Sequence, residues 1–133
     1  MKSKITERGW AGHFICSYRC LFRRNTLIEH EDIKIVVSTV GLMLNHDKDR
    51  FDNPKYEQIG YERYYETMVF HSNANDLRYH DADVSKEISF ESPWSINKID
   101  ADDEANAMHD NVVKEIISRL KKGDKFKTEQ EGA

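Results

Sequence analysis

His13, Cys16 and Cys20 are the densest run of metal-ligating side chains in the sequence, spaced H-x-x-C-x-x-x-C. Zinc takes imidazole and thiolate ligands from turns of this kind. A second Cys/His pair is missing, and His30 would have to supply a fourth ligand from a hairpin, so buried or half-buried thiols are expected and no cofactor is. His71, Asp76, His80, Asp81 and Asp83 form a second constellation. Imidazoles beside carboxylates can hold a divalent ion or exchange protons. A small metal-dependent or histidine-dependent hydrolase would use His71, His80 and Asp83 for catalysis, provided that they converge in a cleft. The competing reading is a turn, because asparagine and aspartate bond loop backbone and histidine sits readily at a polar rim. Asp47-x-Asp49 begins like a calcium loop, but Phe51 and Asp52 stand where a further oxygen ligand and a glycine belong. There is no phosphate-binding glycine loop, paired-histidine metalloprotease motif or serine nucleophile elbow.

Arg19, Arg23 and Arg24, with Tyr18 and Phe22 between them, combine positive charge with stacking surfaces, the ingredients of a nucleic-acid contact. On a strand, however, Arg23 and Arg24 point to opposite faces, and one of them can pair with the acidic helix start instead. Tyr56, Tyr61, Tyr64, Tyr65 and Tyr79 supply rings suited to a protein interface, where tyrosine and arginine are enriched. The expected contact residues are therefore Arg19, Arg23, Arg24, Tyr64 and Tyr65, with Asp102 and Asp103 at the acidic helix start. Several tyrosines could equally complete the core, needing only a partner for each hydroxyl.

The 133 residues suit one domain of 1–123 followed by a flexible polar tail at 124–133. Twenty basic and 24 acidic side chains leave a formal charge of -4, which argues against a binder held to nucleic acid by charge alone. The charge is uneven: residues 1–24 carry six basic side chains and Glu7, whereas 99–113 carry five acidic ones and no Lys or Arg. Two cysteines, no signal peptide and no membrane-length apolar run point to a reducing, cytoplasmic setting without membrane contact.

The elements that must position these groups are read from periodicity. Cys20–Ile28 and Ile33–Thr39 alternate as two strands, joined by a four-residue connector, Glu29-His30-Glu31-Asp32. Gly41 marks a bulge or turn, and Pro54 opens a short helical or turn segment through Tyr56 and Ile59. Tyr64–His71 is a third strand. Val84–Phe90 is a fourth, with Val84, Ile88 and Phe90 on its apolar face and a solvated face opposite. Residues 1–9 read as a polar lead-in, while Trp10 and Phe14 are core or interface residues. Ala105, Met108, Val112, Ile116 and Leu120 recur at helical spacing over Asp102–Leu120, with Asp100 or Asp102 as N-cap and Gly123 as C-cap. The fold class is therefore α+β: an antiparallel sheet of about four or five strands with one long C-terminal helix packed on one face.

Arg8-Gly9-Trp10-Ala11-Gly12-His13-Phe14-Ile15, followed by Cys20-Leu21-Phe22-Arg23-Arg24-Asn25-Thr26-Leu27, resembles small proteins encoded by phages or prophages. The resemblance covers the N-terminal fifth, carries no named family and transfers no active residue. It implies a role in a phage–host encounter, such as binding and inhibiting a host protein. With the residue chemistry, it leads to a non-enzymatic interaction protein with a protein partner. A homodimer through an unpaired strand edge is a further option. The alternatives are the hydrolase built on His71 or His80 and a nucleic-acid-binding protein.

Overall fold

The structure is a computed structural model that describes residues 3–10, 12–14, 16–45, 55–89 and 93–126. In chain order the elements are β1 (Lys4–Arg8), a 3-10 turn (Ser17–Arg19), β2 (Cys20–His30), β3 (Ile33–Leu44), β4 (Tyr56–Glu57), β5 (Tyr65–Ser72), β6 (Ala82–Ile88), β7 (Ser95–Ile96) and α1 (Asp102–Lys121). Among the described residues they form one antiparallel sheet in the order β1-β2-β3-β5-β6, with β4 added to β3 and β7 to β5. The C-terminal helix lies on that sheet, so the α+β class holds, with seven strands of which five make the main path.

The β2–β3 hairpin is the spine. Its turn is tighter than a four-residue connector: His30 pairs with Ile33, so Glu31 and Asp32 alone make the bend, Glu31 in the left-handed region at φ 57°. Lys4–Arg8, read as a lead-in, is instead an edge strand paired with Asn25–Glu29. Tyr56–Glu57 is a short strand rather than a helical turn. On β6, Ile88 is buried but Val84 is 66% exposed, because this edge strand is covered at one end only. Phe90 and the Asp47-x-Asp49 stretch lie outside the described residues.

Strand alternation places Ile28, Ile35, Val37 and Val69 on one face, where Val112, Val113, Ile116 and Leu120 of α1 cover them. Val112 and Ile116 are fully buried, each contributing about 1.5–3 kcal/mol of hydrophobic stabilisation. Farther along, Phe22, Leu42 and Tyr65 meet Ala101, Ala105 and Met108. Gly41 is required there. A Cβ at that position would stand 2.1 Å from the Tyr65 ring, so the glycine makes room for a fully buried tyrosine.

The helix begins without the expected carboxylate cap. Its N-cap is Ala101, with no side-chain cap bond, and the Tyr65 hydroxyl takes over: it accepts the Ala101 N–H at 2.9 Å and donates to Asp102 Oδ1 at 2.7 Å. The other end stops as expected at Gly123, φ 93°. Gly123 N–H bonds Leu120 O at 3.0 Å and Asp124 N–H bonds Arg119 O at 3.0 Å, the paired closure of a Schellman motif. The chain does not leave the body there. Asp124 binds Arg119, and Phe126 is buried in the same apolar cluster as Ile116 and Leu120, so the chain up to Phe126 is fastened to the body and Phe126 is a core residue.

The opposite face of the sheet is also covered. Val36, Ser38 and Val40 on β3 are wholly inaccessible, as is Asn25 on β2. No helix lies there among the described residues. Two loops do the covering: residues 9–10 and 12–14 after β1 and the segment 73–81 between β5 and β6, which meet at Trp10 and Tyr79.

Candidate functional site

Asn25 is the foundation of the loop-covered face. Its side-chain oxygen accepts Arg8 Nε at 3.1 Å and Arg8 Nη2 at 2.8 Å, and its amide donates to Asp81 Oδ1 at 3.3 Å. Asp81 Oδ2 in turn accepts the Trp10 indole N–H at 2.7 Å. The Arg8 guanidinium also donates to the Tyr79 carbonyl, tying the strand to the loop. Burial pulls Arg8 below the usual arginine range, and Asp81 most strongly opposes that shift. The loop itself is wired by Asp76, whose carboxylate accepts the N–H groups of Tyr79 at 3.0 Å and Asp81 at 3.2 Å. Those bonds hold the Asp76 carboxyl below the ordinary carboxylate range.

On this scaffold stands an exposed stack. The Trp10 and Tyr79 rings meet edge to face with centroids 5.7 Å apart. Arg8 lies over the indole at 4.9 Å and Arg78 over the phenol ring at 5.0 Å. Trp10 is 37% and Tyr79 47% exposed, and neighbouring Leu77 is 80% exposed. Trp10, expected in a core or interface, thus stands at the surface. The pair joins residues 69 positions apart, so local spacing held no signal of it.

Deeper on the same face, Ser38 Oγ is 2.6 Å from His13 Nδ1, and His13 Nε2 is 3.2 Å from Glu66 Oε1. The Glu66 carboxylate can only accept, so Nε2 carries the proton; Nδ1 of the neutral ring then accepts from Ser38 Oγ, which itself accepts the Gly12 N–H at 3.0 Å. This order imitates a nucleophile activated by a base and a carboxylate. Ser38 is nevertheless fully buried beneath Gly12, which denies a substrate in-line access; the bonds fasten the loop to the sheet. Glu66 completes its partners with Arg63, which stacks on Trp94 at 4.8 Å beside an open cavity of about 410 Å³.

A second buried series lies under the helix. His109 is fully inaccessible, with Nε2 2.7 Å from Thr26 Oγ1 and Nδ1 2.6 Å from Thr39 Oγ1. Thr26 donates onward to Glu7 at 2.6 Å, so its hydroxyl must accept from Nε2–H; Thr39 then donates to Nδ1 and accepts from Thr67 at 2.6 Å. The ring is a neutral Nε2–H tautomer. Desolvation, and secondarily Arg24, lowers its pKa to about 4. The sequence held a usable signal, since His109 falls on the helical stripe between Ala105 and Val112.

The structure redistributes the sequence-derived candidates. Tyr65 is fully buried and cannot be a contact residue, because its ring packs over Gly41 and its hydroxyl caps α1. Tyr64 is half-buried against the same cluster. Asp102 accepts the Tyr65 hydroxyl, whereas Asp103 is exposed. Arg24 bridges Glu7 and Asp110 of α1, and Arg19 binds Glu57 and the Leu44 carbonyl, so both are committed within the chain. Arg23 alone of the three is exposed without an ion pair among the described residues. Cys16 and Cys20 are free thiols, and burial pushes Cys20 up to about 11. His13 bonds Ser38 and Glu66 rather than joining those thiols, and the described residues contain no group of three His, Cys, Asp or Glu placed to hold a metal ion. His71 and His80 line one open cavity, but Asp83 does not join them there; its carboxylate accepts the Ser85 hydroxyl at 2.6 Å.

Compared with known proteins, the chain matches no family model, no curated protein and no solved structure. Among the described residues no helix is long and apolar enough to cross a membrane.

Proposed function

We propose that this chain is a non-enzymatic protein-interaction module whose contact surface is the Trp10–Tyr79 pair with Arg78. The exposed stack carries this reading. Tryptophan, tyrosine and arginine supply a disproportionate share of interface binding energy. Here they are held ready by buried Asn25 together with Arg8 and the half-buried Asp81, which reduces the ordering cost of association. Arg78 forms no ion pair among the described residues, which favours an acidic patch on the partner. The resemblance of residues 8–15 and 20–27 to phage-encoded proteins makes a host protein the partner class and inhibition or modulation the outcome. Affinity capture with the full chain tests this. Wild type should retain a discrete protein that an R78E/Y79A variant, with unchanged circular dichroism, does not. Retention of DNA or RNA that is lost with added salt, or protein capture indifferent to the variant, would overturn it.

A further inference from the structure

Beyond the aromatic stack, the 73–81 loop closes one side of an open cavity of about 320 Å³ against the β2–β3 turn and the end of β5. Basic residues from separate segments line it: Lys34 on β3, His71 on β5, His80 in the loop and Lys86 on β6. Neither Lys34 nor the His80 ring makes a hydrogen bond or ion pair among the described residues. His71 directs Nε2 to the Phe126 carbonyl, which leaves Nδ1 as its remaining polar atom. The acidic groups nearby are Asp32 on the rim, Glu29 across the hairpin from Lys34, Asp76 with its charge near His80, and Asp83, the last already bonded to Ser85.

His80 is set in an unusual backbone. Its φ of 50° lies in the left-handed region, held by its N–H on the Asp76 carbonyl at 3.0 Å. The remaining walls divide by chemistry. Asn73 has its side-chain oxygen occupied by the Asn75 N–H, so its amide is left as a donor. Ile33 and the strongly exposed Leu77 form an apolar lip. Lys86 already has a partner within the chain, but Lys34, His80 and the Asn73 amide still outnumber the single carboxylate lining the cavity, and they stand beside a surface that water solvates poorly.

We infer that this cavity is a binding site for a phosphate monoester, with Lys34 and His80 contacting the dianion and Leu77 and Ile33 covering the organic group. Two imidazoles alone could have suggested a metal, but no third ligand of the right type stands with them among the described residues. Lysine and histidine as point donors suit a phosphate oxygen. The inference is independent of the protein-binding reading, since neither Trp10 nor Arg78 lines the cavity.

Titration calorimetry of the full chain with phenyl phosphate is the test. Saturable binding is expected, weakened about tenfold to a hundredfold in both Lys34→Gln and His80→Gln and unchanged in Lys114→Gln, a lysine exposed on the helix. Inorganic phosphate should bind more weakly than the ester. Because neither Lys34 nor His80 has a side-chain hydrogen-bond or ion-pair partner among the described residues, both variants should keep the wild-type melting temperature. No saturable binding, or an equal loss in all three variants, would overturn the site; equal affinity for inorganic phosphate and phenyl phosphate would overturn the role given to Leu77 and Ile33.

Discussion

Acid should weaken this protein through His109 before it weakens it through the carboxylates. The folded chain keeps that imidazole neutral down to about pH 4, against an ordinary value of 6.5. Between those values the unfolded chain binds the extra proton and the folded chain does not. The stabilisation associated with neutral His109 is thus fully present above pH 6.5, lost progressively as pH falls towards 4, and level below that. At about 1.36 kcal/mol for each pH unit, the loss amounts to about 3 kcal/mol. Asp76, Asp83 and Asp124 are also held below the ordinary carboxylate value of 3.8, so the stability they add is lost only at lower pH. Urea unfolding at a series of pH values should show the decline in wild type and a flatter profile in His109→Gln. The glutamine amide can still donate to Thr26 and accept from Thr39, without a ring to protonate. Parallel profiles for the two proteins, or an NMR titration midpoint for His109 near 6.5, would refute the reasoning.

Three substitutions probe the packing around the helix. Tyr65→Phe removes the acceptor of the Ala101 N–H and the donor to Asp102, and should cost about 1–3 kcal/mol in chemical denaturation; unchanged stability would mean that water replaces the hydroxyl. Phe126→Ala should cost about 3–5 kcal/mol and speed hydrogen exchange in the last turn of α1, whereas a true tail residue would cost almost nothing. Gly41→Ala places a methyl group against the Tyr65 ring and should lower stability by about 1–3 kcal/mol, read as a fall in melting temperature.

What the sequence made legible follows from local periodicity. Ile33, Ile35 and Val37 alternate strongly enough to define β3, and the stripe from Ala105 to Leu120 defines α1. β1 escaped because Ile5 is the sole apolar side chain in Lys4–Arg8, and the strand exists through its pairing with β2. The second covered face escaped for a related reason. Asn25, Ser38 and Glu66 interrupt its apolar positions and so resemble solvated residues, yet each is satisfied by a group distant in sequence: Arg8, Gly12 and His13 in turn. The arginines were ambiguous in the opposite sense. Arg19 and Arg24 suited either an outside contact or pairing within the chain, and Glu57, Glu7 and Asp110 take them up inside the fold. The surface that replaces them depends on two loops meeting, a fact that residue spacing does not encode.

Photo-crosslinking bears most directly on the proposed contact surface. A photoreactive amino acid placed at position 79, in the exposed stack, should capture one discrete protein in cells. The same group at position 61, where Tyr61 is 84% exposed in the turn between Gly60 and Arg63, should capture none. Capture from position 61 but not 79, or adducts to nucleic acid alone, would contradict the assignment.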